Sequence, residues 1–70
     1  MPSYCVNMLA QENGDHEVHD TTVERSCLPL REHRKDLGSF ASCHGAVRQA
    51  GYFFSQTNGC HHCAPACNTG

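Results

Sequence analysis

The stretch that decides how this chain is read is Cys60-His61-His62-Cys63-Ala64-Pro65-Ala66-Cys67-Asn68-Thr69-Gly70. It holds three of the six cysteines, spaced C-x2-C-x3-C, while Cys5, Cys27 and Cys43 are scattered through the rest. Two intervening residues let both sulfurs of a C-x2-C pair point at one ion, and zinc asks for four such ligands in a tetrahedron. At helical spacing, positions 60, 63 and 67 share a face. The fourth ligand must come from elsewhere, and Cys43 is the first choice. It stands in the first turn of a predicted helix, where the positive dipole end favours a thiolate. A helix from Cys43 to Phe54 is about 18 Å long, and the residues from Ser55 to Cys60 span about 17–20 Å when extended. The tail can therefore run back along the helix and bring Cys60 beside Cys43. The predicted metal ligands are Cys43, Cys60, Cys63 and Cys67, the predicted cofactor is zinc, and Cys27 is the second choice for the fourth position.

The same spacing admits disulfides. Three tail cysteines on one face can pair with Cys5, Cys27 and Cys43, and six cysteines allow fifteen connectivities. Free buried thiols are the third reading. A thioredoxin-type redox pair at Cys60 and Cys63 lacks the preceding βαβ context.

Size explains why staples are expected at all. Seventy residues make one domain, residues 1–70. A domain this small buries only about 60% of its unfolded surface. The chain has no Trp, three Phe and two Tyr, so disulfides, a structural metal or oligomerisation should make up the deficit. No apolar stretch approaches the roughly 20 residues that span a bilayer. Met1-Pro2-Ser3-Tyr4-Cys5-Val6-Asn7 has neither a basic nor a long apolar region. The expected compartment is the cytoplasm, where structural disulfides are rare; disulfides would instead imply a periplasmic or secreted protein.

The net charge of −2 is unevenly spread. Every charged side chain up to Glu24 is acidic, and four of the five basic residues fall between Arg25 and Lys35. The run Arg31-Glu32-His33-Arg34-Lys35 is short and interrupted by acid, a poor footprint for nucleic acid and a good solvated loop.

Outward from the tail, Tyr4-Cys5-Val6-Asn7-Met8-Leu9 is β-prone, and Asn13-Gly14 is a strong turn signal. His16-Glu17-Val18-His19 with Thr21-Thr22-Val23 reads as a second strand, giving a hairpin over roughly residues 4–23. A turn of this type asks for positive φ at both Asn13 and Gly14. Residues 24–38 read as a loop with a short strand around Leu37. Ser42 is a suitable helix N-cap. Cys43, Ala46, Val47, Ala50 and Phe54 then make one apolar helical face. The fold class is α+β: a β-hairpin, with a third strand as an option, packed on one helix and locked by the cysteine-rich C-terminal segment.

The histidines offer weaker chemistry. In a regular strand His16 and His19 point to opposite faces, whereas Asp15, Glu17 and His19 share one. That makes a carboxylate–imidazole site, or simply surface histidines on a solvated hairpin. His61 and His62 lie inside the C-x2-C and can replace a cysteine as ligand. His44 follows Cys43, but adjacent helical residues do not face each other. There is no phosphate-binding glycine loop, no H-E-x-x-H and no G-x-S-x-G, so no catalytic residue is assigned. Tyr52, Phe53 and Phe54 read as core and cover.

Tyr4-Cys5-Val6-Asn7, Asn13-Gly14-Asp15-His16-Glu17-Val18-His19, Leu28-Pro29, Asp36-Leu37-Gly38, Ser42-Cys43, Ala46-Val47 and Asn58-Gly59-Cys60 through Cys67 form a frame that covers nearly the whole chain. It resembles a group of small uncharacterised bacterial hypothetical proteins, some of the kind carried on mobile gene cassettes. The resemblance implies a soluble bacterial protein and carries over no catalytic or binding residue. Similar chains place a His after the last Cys and an acidic residue near the helix start, where this one has Asn68 and Gly45. The leading expectation is a small non-enzymatic binding or adaptor module with structural zinc and an unknown protein partner. The alternatives are an exported disulfide-stapled protein and a protein that handles zinc or copper(I), both of which suit soft thiolates.

Overall fold

The computed structural model describes residues 1–69 and is an α+β domain. Its elements run β1 (Ser3–Asn7), β2 (His16–Asp20), a 3-10 turn (Arg31–His33), β3 (Arg34–Ser39), α1 (Cys43–Ala50), β4 (Thr57–Gly59) and a final 3-10 turn (Pro65–Cys67). The four strands form one sheet in the order β3-β1-β2-β4. β1 pairs antiparallel with β2 and with β3, and β2 pairs parallel with β4.

The expected hairpin is there, but its connection differs from the tight turn that Asn13-Gly14 suggests. Only Gly14 takes a positive φ, 93°, and Asn13 does not. Residues 8–15 form a longer loop closed by the Gln11 N–H on the Asp15 carbonyl at 2.8 Å. The Asp15 carboxylate then accepts from Gln56 at 2.7 Å and from Asn58 at 3.3 Å, tying this loop to the C-terminal third of the chain.

Alternation along the strands sorts side chains onto two faces. Tyr4, Val6 and Val18 face α1 and form a core with Leu37, Cys43, Ala46, Ala50, Ala64 and Cys67. Ala46 and Ala50 are fully buried, and side chains this small let the helix lie close on the sheet. Cys5 and His19, paired across β1 and β2, point the other way and are also buried. The loop of residues 21–33 lies on their side. It is held by Arg34, whose guanidinium donates to the Glu24 carboxylate at 2.8 and 3.3 Å and to the Pro29 carbonyl at 2.8 Å. The ammonium of Lys35 lies 4.3 Å from the centre of the Phe53 ring. Two cations of the basic run are thus engaged within the fold.

The helix starts where expected but ends at Ala50, short of Phe54. Ser42 has extended backbone angles, yet its side chain makes no capping hydrogen bond; its hydroxyl lies 3.5 Å from His44 Nδ1 instead. Among the described residues, no helix is long and apolar enough to cross a membrane.

Candidate metal centre

Strand β4 delivers the tail to its place. Its parallel register pairs Val18 with Gly59, and the Cys60 N–H continues the ladder onto the Val18 carbonyl at 2.9 Å. Cys60 therefore comes to lie beside the next residue of β2, His19. The chain then turns, with the Ala64 N–H on the Cys60 carbonyl at 2.9 Å, and this turn carries Cys63 back over the same end of the sheet. Cys27 arrives from the loop that Arg34 anchors. The donor atoms of His19, Cys27, Cys60 and Cys63 all lie within 4.8 Å of one another.

That arrangement is geometrically compatible with a four-coordinate metal ion. Zn–S bonds of about 2.3 Å and Zn–N bonds of about 2.0–2.1 Å imply ligand-to-ligand edges of roughly 3.5–3.8 Å. His19 Nδ1 is 3.5 Å from Cys63 Sγ. The Asp20 N–H donates to Cys63 Sγ at 3.3 Å and the His62 N–H to Cys60 Sγ at 3.4 Å; such donors stabilise thiolate charge. The other ring nitrogen of His19, Nε2, faces the Glu17 carboxylate at 3.6 Å. A carboxylate behind a ligating imidazole orients the ring and raises its basicity.

Electrostatics agree with a site that ligates through neutral imidazole. Burial, and secondarily the charge of Arg34, lower the His19 pKa from 6.5 to about 4. Burial pushes the Cys63 thiol up to about 12, against the Asp20 N–H, and raises Cys27 as well. With no cation the Cys27 and Cys63 thiols stay protonated, so metal uptake must release protons. Cys27 and Cys63 are half-buried, whereas Cys60 and His19 are buried. A groove of about 560 Å³, lined by Arg25, Ser26, Cys27 and His62, opens beside the Cys27 thiol.

The four residues expected from spacing are divided between two places. Cys60 and Cys63 meet His19 and Cys27, while Cys43 and Cys67 are joined to each other by a disulfide. The tail is not one helix: a turn holds Cys60 and Cys63, and the separate 3-10 turn carries Cys67 to the α1 side. Cys27, the second choice, is in the cluster. His19 belongs to it too, and the legible signal was strand alternation, which puts Glu17 and His19 on one face. Asp15 serves its loop instead. His16 stacks on Phe54 with ring centres 3.8 Å apart and donates through Nδ1 to the Asn7 carbonyl at 2.9 Å. His61 and His62 are exposed, edge to face with each other. Cys5 stays a buried free thiol, its pKa raised by burial to about 11.

No known family model, curated protein or solved structure matches the chain.

Two expectations follow from the ring of His19. Glu17→Gln should leave the fold intact and weaken metal binding at the cluster by about tenfold or more, measured by competition with a chromophoric chelator. An unchanged affinity would remove Glu17 from behind the imidazole. The second concerns acid. The folded pKa of about 4 lies below the ordinary 6.5, so the unfolded chain binds the extra proton between these values. The stabilisation from neutral His19 is complete above pH 6.5 and disappears as pH falls towards 4. Metal held on the neutral imidazole acts in the same direction, because protons displace it. Urea midpoints should hold steady above that window and drop through it; a flat profile would contradict the assignment.

Proposed function

We propose that this chain is a small non-enzymatic binding or adaptor module whose fold is set by a structural zinc ion on His19, Cys27, Cys60 and Cys63. The observation that carries the reading is convergence. Strand β2, the loop that follows it and the distant turn after β4 place three thiols and one imidazole within 4.8 Å of one another. A soft S3N set that fills all four positions is the closed type used for structure, with no open position for a substrate. The resemblance to small bacterial proteins supports a bacterial source, and the uneven but nearly balanced charge supports a protein partner over nucleic acid.

The test is a native mass spectrum of freshly purified chain, recorded before and after a strong chelator. One zinc per chain, lost together with cooperative melting, is the expected result. A metal-free chain insensitive to chelator, with a mass deficit of about 2 Da for each pair among Cys5, Cys27, Cys60 and Cys63, would favour the second reading. In that reading the protein is exported and stapled by disulfides, and the Cys43–Cys67 bond is the observation in its favour.

A further inference from the structure

We infer that reduction of the Cys43–Cys67 disulfide opens a second metal site, made of two thiolates and one imidazole from Cys43, Cys67 and His44. Their donor atoms lie within 4.8 Å of one another. Adjacent residues on a regular helix do not face each other, but Cys43 and His44 begin α1, and a bond from the helix start can reach a third residue that packs against it. Cys67 is that residue. It closes the final 3-10 turn, and the Cα atoms of Cys43 and Cys67 are 6.2 Å apart. Both belong to the core cluster, so their backbones are held by packing as well as by the bond between them. Side-chain rotation about those held backbones is the movement that would part the sulfurs to the roughly 3.8 Å edge of a zinc tetrahedron.

The two donor sets are separate. His19 points to the sheet face opposite the one that Cys43 and Cys67 pack against, and the shortest chain connection between the sets is the Cys63–Cys67 segment. They also differ in kind. Three protein donors leave one coordination position open to water, and His44 is exposed while both cysteines are buried. The ligand class is a divalent cation of zinc's type, exchangeable where the first site is closed. Two electrons govern it. A thiolate of an external dithiol attacks one sulfur of the disulfide, the Cys43–Cys67 bond breaks, and the dithiol's second thiolate closes its own disulfide and frees the other cysteine. Two thiols result, and they release two protons as the cation binds. Oxidation by a disulfide of the same class reverses every step and expels the cation.

The site stands apart from the structural zinc of the first cluster, so the readout is a difference between redox states. Zinc-loaded chain is prepared oxidised and, in parallel, treated with dithiothreitol and desalted without air. One equivalent of cobalt(II) is then added to each, as a probe too weak to displace zinc from a closed thiolate site. The reduced chain should show thiolate-to-cobalt charge-transfer and tetrahedral ligand-field bands that the oxidised chain lacks. Those bands should be lost in the Cys43→Ser/Cys67→Ser double variant and shifted or weakened in His44→Ala, an exposed substitution that should fold. Equal spectra in both redox states would overturn the inference. So would bands that persist in the double variant or are unchanged in His44→Ala, or unfolding of the zinc-loaded chain on reduction. An oxidised chain that carries no zinc would defeat the structural reading alone, and the inference would then be read from the second equivalent of cobalt, bound by the reduced chain and lost in the Cys43→Ser/Cys67→Ser double variant.

Discussion

Removing zinc with a chelator is expected to abolish cooperative thermal unfolding, and Cys27→Ser, Cys60→Ser and Cys63→Ser are each expected to reproduce that loss. The apolar core is small. On the helix side it consists of one Tyr, two Val, one Leu and several Ala and Cys residues, and a domain of this size is marginal on burial alone. Structural zinc contributes about 10–16 kcal/mol at neutral pH in comparable small sites, as large as the entire stability of an ordinary domain. Each of the three sulfurs belongs to a set drawn from a different part of the chain, so losing one also unpins its segment. Cys27→Ser releases the loop over Cys5 and His19; Cys60→Ser and Cys63→Ser release the turn after β4. Cys5→Ser is the comparison. Cys5 is buried beside His19 but outside the donor set, so its serine variant should keep the metal and lose only about 1–3 kcal/mol for a buried hydroxyl. Zinc content and melting curves of the four variants provide the check. Equal damage at Cys5 and at the three ligands, or a wild-type melt indifferent to chelator, would refute the metal centre.

Gly59→Ala should be the most damaging substitution outside the ligands. A Cβ at Gly59 would lie 2.6 Å from Cys67 Cβ, 2.8 Å from the Ala64 carbonyl oxygen and 2.8 Å from the Cys67 carbonyl carbon. Two of these are backbone atoms, so no rotamer change relieves the overlap. The segment 64–67 would have to move away from β4, drawing Cys67 from Cys43 and tilting the turn that carries Cys60 and Cys63. A cost of about 3 kcal/mol is expected from overpacking, with a measurable fall in zinc affinity. Thr57→Ala, two residues earlier in the same strand, should cost less than about 1 kcal/mol. Urea denaturation of the two variants compares them directly, and similar midpoints would show that the final turn gives way easily.

Local chemistry was sufficient for much of the fold. The β-branched and aromatic residues of β1 and β2, the three- and four-residue spacing of Ala46, Val47 and Ala50, and the short strand around Leu37 all appear where their patterns place them. The errors came where a local signal met a long-range contact. Asn13-Gly14 has the composition of a two-residue turn, but Asp15 is drawn to Gln56 and Asn58, and the loop lengthens to meet them. Ser42 has the right residue type and backbone for a cap, but its hydroxyl lies towards His44. Strand β4 went unseen because Thr57-Asn58-Gly59 has little intrinsic strand preference; it is extended because β2 offers an open edge.

By itself the sequence determined that this is a small α+β domain poor in large apolar side chains, and it pointed to the C-terminal thiols as a staple, by metal or by disulfide. Which thiols meet was decided only by the tertiary structure. A sheet separates what lies on its two faces, and the parallel register of β4 on β2 sets Cys60 and Cys63 beside His19 and Cys27 while the final turn sends Cys67 to Cys43. Spacing along the chain describes the reach of each cysteine. The side of the sheet on which it arrives depends on pairings between residues some 40 positions apart, and no local pattern encodes those.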